Sequence, residues 1–184
     1  MAKKQWETQF IQAFNEGVKA YRSGVRDAGE MFDNQQVAFL GTIGCTAQEL
    51  YDFVEDQCDD GEPSLEDIVA MTTIRQRYFQ SVQHGIPSQF HIDPAELPPK
   101  DEPVGGLPWL PRIIAKARAK LRGELDATIM YGCGGDRSFL RKARMKAPEF
   151  LQLVWDSGND DARIVAAVQQ SAGISSLSAH PATS

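Results

Sequence analysis

Prolines divide this chain into two helical parts. Six of its ten prolines lie between residues 86 and 108, mixed with polar residues. Proline lacks a backbone donor and clashes with the preceding helical turn, so this segment cannot hold a helix interior. We therefore predict a proline-rich connector over 87–108, with a short turn at 93–96. It joins an N-terminal helical repeat at 1–86 to a C-terminal repeat at 109–172, and a flexible tail follows at 173–184.

Apolar residues before the connector recur every three or four positions, which is typical of amphipathic helices. Between residues 4 and 23 they form one stripe: Trp6, Phe10, Phe14, Val18 and Tyr21. Thr46 and Glu49 have the spacing of a capping box and predict the start of another helix. Ser64 is expected to begin a third, which ends before Gly85 and Pro87.

After the connector, Pro111 is expected to begin a helix that ends near Gly123. Its apolar face holds Leu110, Ile113, Ala117 and Leu121, and we expect the basic residues beside that face to keep their charged ends in water. Residues 127–131 have β-like character and lead into a glycine-rich turn. The remaining helix starts are assigned to Asp136, to Pro148 and to Asn159 or Asp160.

The two parts share a sequence pattern at a spacing of 100 positions. The same residue occurs at 39 and 139, 40 and 140, 47 and 147, 49 and 149, 54 and 154, and 56 and 156. This offset indicates an internal duplication. We predict an all-α fold in which two related helical repeats pack as a pseudo-two-fold pair, with little or no β structure beyond a very short strand near Ile129.

Charge is distributed unevenly along the chain. The net charge is -6, yet the stretch from Arg112 to Lys146 has ten basic residues against three acidic ones. Such asymmetry is typical of a surface for an acidic partner or a small anion. The alternative is that these basic residues are solvated and meet the acidic half of the same molecule.

The second half resembles an uncharacterised bacterial family, the domain of unknown function numbered five-zero-six-nine. The resemblance covers roughly residues 104–170 and rests on these residues: Gly105, Gly106, Trp109, Leu110, Pro111, Arg112, Lys116, Ala117, Arg118, Ala119, Gly123, Tyr131, Cys133, Asp136 and Phe139. Two departures are Ala115, where the family commonly has Asp, and Gly134–Gly135, where it has Pro-Leu. The first half contains Phe39-Leu40-Gly41 but lacks the Gly-Gly signature, so it resembles a diverged copy of the family domain. The resemblance implies no activity.

One cluster of residues combines a thiol, a carboxyl group and several cations. The candidate catalytic residues are Cys133 and Asp136. The candidate ligand-binding residues are Arg112, Lys116, Arg118, Tyr131 and Arg137, and the candidate partner-binding residues are Arg141, Lys142 and Arg144. A cysteine ahead of a helix N-terminus and near cations is a candidate reactive thiol and anion site. The alternative reading makes Cys133 a packing residue, Asp136 an N-cap and Arg112 its ion-pair partner.

Other site classes find little support in the sequence. His84, His91 and His180 lack the spacing of a helical metal pair, so no metal site is predicted. No phosphate loop, dinucleotide fingerprint or serine nucleophile elbow occurs, and no cofactor is predicted. Nucleic-acid binding is disfavoured because aromatic interleaving is missing.

The sequence also predicts a cellular location. Neither a membrane span nor a signal peptide is expected. Three cysteines without a paired motif favour a reduced, cytoplasmic protein. The oligomeric state stays open.

Two functions are open on this basis. The first is a non-enzymatic binding or assembly module whose basic C-terminal face takes an anionic ligand or an acidic partner. The second is a small enzyme that uses Cys133 and the neighbouring Asp and Arg side chains on an anionic substrate. Thiol reactivity separates the two.

Overall fold

A computed structural model describes residues 5–174 of the chain. Within these residues it has nine α-helices and one two-stranded hairpin, so the predicted all-α class is confirmed. The helices are α1 (Gln5–Arg22), α2 (Ala28–Met31), α3 (Asn34–Thr42), α4 (Ala47–Asp60), α5 (Leu65–Ser81), α6 (Leu110–Arg122), α7 (Gly134–Lys142), α8 (Ala147–Ser157) and α9 (Asp161–Ala172). Of the tail predicted at 173–184, residues 175–184 lie outside the described residues.

Local sequence signals set most of these helix boundaries. The Thr46 side chain accepts from the Glu49 backbone N–H, and the Glu49 side chain accepts from the Thr46 N–H, as the capping box predicts. Ser64 caps α5 through the Asp67 N–H and Asp160 caps α9, as predicted. Each cap satisfies a backbone donor that the first helical turn leaves free.

The connector has more structure than the proline count predicts. Asp93 caps a 3-10 turn at Pro94–Glu96, where the short turn is predicted. The strands β1 (Pro103–Val104) and β2 (Leu107–Pro108) form an antiparallel hairpin. Its two-residue turn is Gly105–Gly106, both with positive φ, which favours glycine. The very short strand predicted near Ile129 is wrong, because residues 127, 128 and 131 lie in turns and residues 129–130 have no regular secondary structure.

The hairpin is held against α9 by close packing. The Gln169 side chain donates to the Gly105 carbonyl oxygen at 2.8 Å. A Cβ atom on Gly105 would lie 2.4 Å from the Val165 side chain, so only glycine fits at this position. This contact fixes the end of the connector directly before α6.

A single hydrophobic core receives residues from both sides of the connector. α1 packs on α4, and α5 packs on both α6 and α8. The predicted apolar face of α6 is confirmed, since Leu110, Ile113, Ala117 and Leu121 are all buried. Burying each of the three larger side chains contributes roughly 1.5–3 kcal/mol, so this face fixes the helix firmly to its neighbours.

Helix boundaries on the two sides of the connector share the spacing of the sequence pattern. α3 covers 34–42 and α7 covers 134–142, while α4 begins at 47 and α8 at 147. The packing is less regular, because α5 packs on α6 and α8 whereas α9 packs mainly on α8 of its own half. The pseudo-two-fold arrangement and the division into repeats remain predictions.

A buried arginine joins the two halves at the end of α6. Arg75 of α5 is only 2% exposed and donates to the Leu121 carbonyl oxygen, while Gln83 donates to that of Arg122. These donors satisfy carbonyl groups that the last turn of α6 leaves free. A cation at the negative end of a helix dipole is also stabilising, so Arg75 fixes the position of α6 against α5.

Candidate functional site

The basic stretch of the sequence is largely neutralised in the folded chain. Seven of its ten basic residues form ion pairs within the part of the chain that the structure describes: Lys116, Arg118, Lys120, Arg122, Arg137, Arg141 and Lys146. Four of the seven pair with acidic residues of the N-terminal half: Lys120 with Glu49, Arg137 with Asp56, Arg141 with Glu62, and Lys146 with Asp67. Four of the ten basic residues thus join the two halves through ion pairs.

Lys116 and Asp136 form a buried network at the start of α7. The Lys116 ammonium lies 2.5 Å from Asp136 Oδ2, and the two side chains are 5% and 0% exposed. Asp136 also accepts from the Trp109 indole N–H at 2.9 Å and from the Gly132 backbone N–H at 2.9 Å. Three donors therefore satisfy this buried carboxylate, as a charge in a dry site requires.

This network corrects three sequence predictions. Asp136 is not the cap of α7, since Cys133 holds that position and Asp136 lies in the first turn. The partner of Asp136 is Lys116 rather than Arg112. Lys116 and Lys120 do not hold their charged ends in open solvent as predicted, because both residues are at most 4% exposed. The buried Asp136 compensates Lys116 and the half-buried Glu49 compensates Lys120, which local sequence could not reveal.

Arg112 has no such carboxylate partner. Its guanidinium group donates one hydrogen bond to the Pro98 carbonyl oxygen at 2.9 Å, which ties α6 to the connector. An arginine carries five N–H donors, so most of its capacity stays available. Among the described residues, no carboxylate oxygen lies within 4.0 Å of Arg112 or of Lys100.

A cleft of about 480 Å³ lies beside these two cations. We call it the Trp109 cleft, and its lining consists of Asp52, Glu55, Asp56, Lys100, Trp109, Arg112, Lys116, Ala127, Thr128, Ile129, Met130, Cys133 and Gly135. The lining residues outside α4 come from the connector, from α6 and its N-cap, from residues 127–130 and from the start of α7, and α4 supplies the carboxylates. The volume is in the range of small-molecule sites.

Helical spacing explains how the two sets of charges enter the cleft. Asp52, Glu55 and Asp56 are three and four residues apart, so they share one face of α4. Arg112 and Lys116 are four residues apart on α6 and share a face in the same way. The cleft therefore presents acidic groups from α4 and basic groups from α6.

Two of the carboxylates in the cleft have no cationic partner among the residues that the structure describes. Asp56 pairs with Arg137 at 2.6 Å, but within residues 5–174 Asp52 accepts only from the Gln48 amide and Glu55 only from the Tyr51 hydroxyl. Burial raises the pKa of Asp52 to about 6, since desolvation disfavours the charged form. The cleft thus holds two unpaired carboxylates together with two unpaired cations.

Trp109 separates this polar cleft from an apolar one. Its backbone has φ 75, a conformation that large side chains rarely adopt. Beyond it lies a second cleft of about 430 Å³, which shares Trp109, Lys100 and Gly135 and is lined by Leu107 and Phe139. The Trp109 indole is held by its bond to Asp136 and lies so close to Gly135 that a Cβ there would be 2.5 Å away.

Cys133 faces the Trp109 cleft from the cap position of α7. Its Sγ lies 3.3 Å from the Lys116 ammonium, which donates to it. α7 has no side-chain cap, so the backbone N–H groups of Gly134 and Gly135 have no side-chain acceptor there. A thiol in contact with a cation at a helix N-terminus is the setting in which reactive cysteines occur.

The other predicted site residues lie elsewhere. Tyr131 is buried and donates to the Ala147 carbonyl oxygen, so it is a core residue. Arg118 pairs with Asp161, and Arg137 pairs with Asp56, Asp60 and Glu62. Arg141 is engaged by Glu62, while Lys142 and Arg144 are exposed. The cleft thus brings together only Arg112, Lys116 and Cys133 of the predicted set.

The residues that the sequence did not reveal come mostly from α4 and the connector. Asp52, Glu55 and Asp56 precede Arg112 by more than fifty positions, and Lys100 lies between prolines. Trp109 carries part of the family resemblance, which was the only available signal for this position. No local pattern indicates that α4 lies opposite α6 and α7.

Comparison with known proteins identifies only part of the chain. Residues 98–178 match the model of a family described as domain of unknown function (DUF5069), which confirms the predicted resemblance of the C-terminal half. No curated protein and no solved structure matches the chain. The family match includes one side of the Trp109 cleft, while α4, the acidic side, lies outside it. Among the described helices, none is long and apolar enough to cross a lipid bilayer.

Proposed function

We propose that this protein binds a small anionic ligand in the Trp109 cleft. One observation carries the proposal: Arg112 and Lys100 line a cleft of ligand size without a carboxylate partner among the described residues, whereas seven of the ten basic residues between Arg112 and Lys146 are paired. An arginine with free donors recognises carboxylate or phosphate groups through two parallel hydrogen bonds. The proposal narrows the predicted basic face to one cleft.

The start of α7 adds to this binding capacity. Cys133 and Gly135 both line the cleft, and the first turn of α7 has no side-chain cap. Free backbone N–H groups and the positive end of the helix dipole stabilise a negative charge at such a position. They would act on the same ligand group as Arg112.

Calorimetric titration with ethyl phosphate tests the proposal. Replacing Arg112→Gln should weaken binding about tenfold or more, because a charge-assisted contact is lost. Arg144→Gln is the matched control, since Arg144 is exposed and has no carboxylate partner among residues 5–174. Equal effects of the two substitutions would indicate nonspecific attraction to the basic surface and contradict the proposal.

A second candidate function is thiol chemistry at Cys133 on the bound anion. The contact between Cys133 Sγ and the Lys116 ammonium at 3.3 Å favours it, since a cation stabilises a thiolate nucleophile. Asp136 is not a suitable acid or base for this reaction, because three donors already engage it inside the protein. Two measurements separate the functions: binding of ethyl phosphate by the Cys133→Ser variant, and the alkylation rates of Cys133 and Cys58 in the natural protein. Normal binding together with a Cys133 rate no higher than that of Cys58 would support anion binding and contradict thiol chemistry.

A further inference from the structure

The Trp109 cleft contains both cationic and acidic side chains that have no oppositely charged partner among the described residues. Arg112 and Lys100 have no carboxylate within 4.0 Å, and Asp52 and Glu55 have no cation within that distance, among the described residues. All four line the same cleft. Elsewhere, opposite charges on the two halves meet directly, as Lys120 and Glu49 do at 2.7 Å.

This separation carries a cost that a ligand would remove. Burial makes the ionised form of Asp52 unfavourable, and Lys120 offsets this only in part, since no cation among the described residues lies within 4.0 Å of the carboxylate. Glu55 adds like charge from the next turn of α4, since it lies three residues further on. An ammonium group placed between them would restore favourable contacts, while an anionic group on the same molecule reaches Arg112.

We propose that the ligand of the Trp109 cleft is a small zwitterion, which places a phosphate or carboxylate group at Arg112 and Lys100 and an ammonium group at Asp52 and Glu55. This inference rests on the proposed function and adds to the anionic ligand a positively charged group. A purely anionic ligand would face two uncompensated carboxylates across the cleft. A zwitterion satisfies both sets of groups at once, so each charge on the ligand meets its opposite.

Two probe pairs test this inference by calorimetry at low salt, where surface charges are least screened. Phosphoethanolamine and ethyl phosphate differ only in the ammonium group, and β-alanine and propionate form the carboxylate equivalent. The pair that binds identifies the anionic group. Within it, the zwitterion should bind about tenfold more tightly than the simple anion, as expected for one charge-assisted contact.

The double variant Asp52→Asn/Glu55→Gln should remove this preference and leave binding of the simple anion intact or stronger. The control Glu30→Gln/Glu66→Gln removes the same charge from exposed positions outside the cleft and should keep the preference. Equal binding of zwitterion and anion to the natural protein would overturn the inference alone. So would a preference that survives the double variant. Absence of binding by all four probes would overturn the proposed function as well.

Discussion

The ammonium group of Lys116 lies 2.5 Å from Asp136 Oδ2, and both side chains are almost completely buried. This pair joins the middle of α6 to the first turn of α7, and the Trp109 indole completes the carboxylate's coordination at 2.9 Å. The middle of α6, its N-cap residue Trp109 and the first turn of α7 are therefore joined at one carboxylate. Because this network holds Lys116, Trp109 and the first turn of α7 in place, it determines the shape of the part of the Trp109 cleft that these residues line.

Breaking this pair should destabilise the protein far more than breaking an exposed pair on the same helix. Lys116→Met leaves the Asp136 charge buried with two donors, and the loss of one partner of a buried pair costs about 3–5 kcal/mol. Arg118→Met is the control, because Asp161 is largely exposed and such pairs contribute less than about 1 kcal/mol. Urea denaturation measures both changes. Similar losses for the two variants would contradict the structural role of Lys116.

Two adjacent glycines in the first turn of α7 should respond oppositely to alanine. At Gly135 a Cβ would lie 2.5 Å from the Trp109 ring, whereas at Gly134 its nearest neighbour is an Arg137 nitrogen at 3.8 Å. Gly135→Ala should displace the indole, lower stability by about 1–3 kcal/mol and weaken anion binding. Gly134→Ala should be neutral or slightly stabilising. Thermal unfolding monitored by circular dichroism compares them, and equal midpoints would refute the close contact.

Stability should depend on the protonation of Asp52. The pKa of this carboxyl is about 6 in the folded chain against its ordinary 3.8, so the folded state holds the proton more tightly. The groups that face it are Glu49 and Glu55, which raise its pKa further, and Lys120 and the Gln48 amide, which lower it. Because the folded pKa is raised, stability falls as pH rises from about 4 to above 6.

Asp52→Asn removes this dependence. The variant should be more stable than the natural protein at pH 7, by about 1 kcal/mol after allowance for the water that reaches the carboxyl. The difference should vanish at about pH 3, below the pKa of this carboxyl in both the unfolded and the folded chain, where Asp52 is neutral in both states. Urea denaturation at the two pH values gives the comparison. A difference of the same size at both would mean that the Asp52 charge is not the cause.

The three cysteines should differ in reactivity with iodoacetamide. Cys45 is buried and its pKa is raised by desolvation, so it should stay unmodified in the folded protein. Cys133 lies in the cleft beside Lys116, whereas Cys58 is half-buried outside the cleft lining. Peptide mass spectrometry should find Cys133 modified fastest, and ethyl phosphate should protect it without protecting Cys58. Protection of both cysteines would place the anion elsewhere.

The sequence predicts the helices well because their signals are local. Thr46, Ser64 and Asp160 begin helices as expected, and the buried face of α6 follows from residue spacing alone. The glycine pair of the hairpin was visible only as part of a family resemblance. The structure explains why both residues are glycine: each has a positive φ, and at Gly105 a Cβ atom would clash with Val165.

The cleft was only half predictable, and the reason is distance along the chain. Arg112 and Cys133 belong to the basic cluster that the sequence singles out, but their acidic counterparts lie on α4. Composition shows the charge asymmetry between the halves without showing which charges pair. Lys120 and Arg137 find carboxylates across the core, while Arg112 does not, and this difference depends on helix packing that only the folded chain defines.

The most direct test of anion binding in the Trp109 cleft is a nitrogen-15 correlation spectrum during titration with ethyl phosphate. The chain has three tryptophans, and their indole N–H signals can be assigned with single Phe variants. We predict that the Trp109 indole signal and the backbone signals of Gly134 and Gly135 shift, while the indole signals of Trp6 and Trp155 do not. Shifts confined to the backbone of residues 141–144, or no shifts with either ethyl phosphate or propionate, would contradict the account.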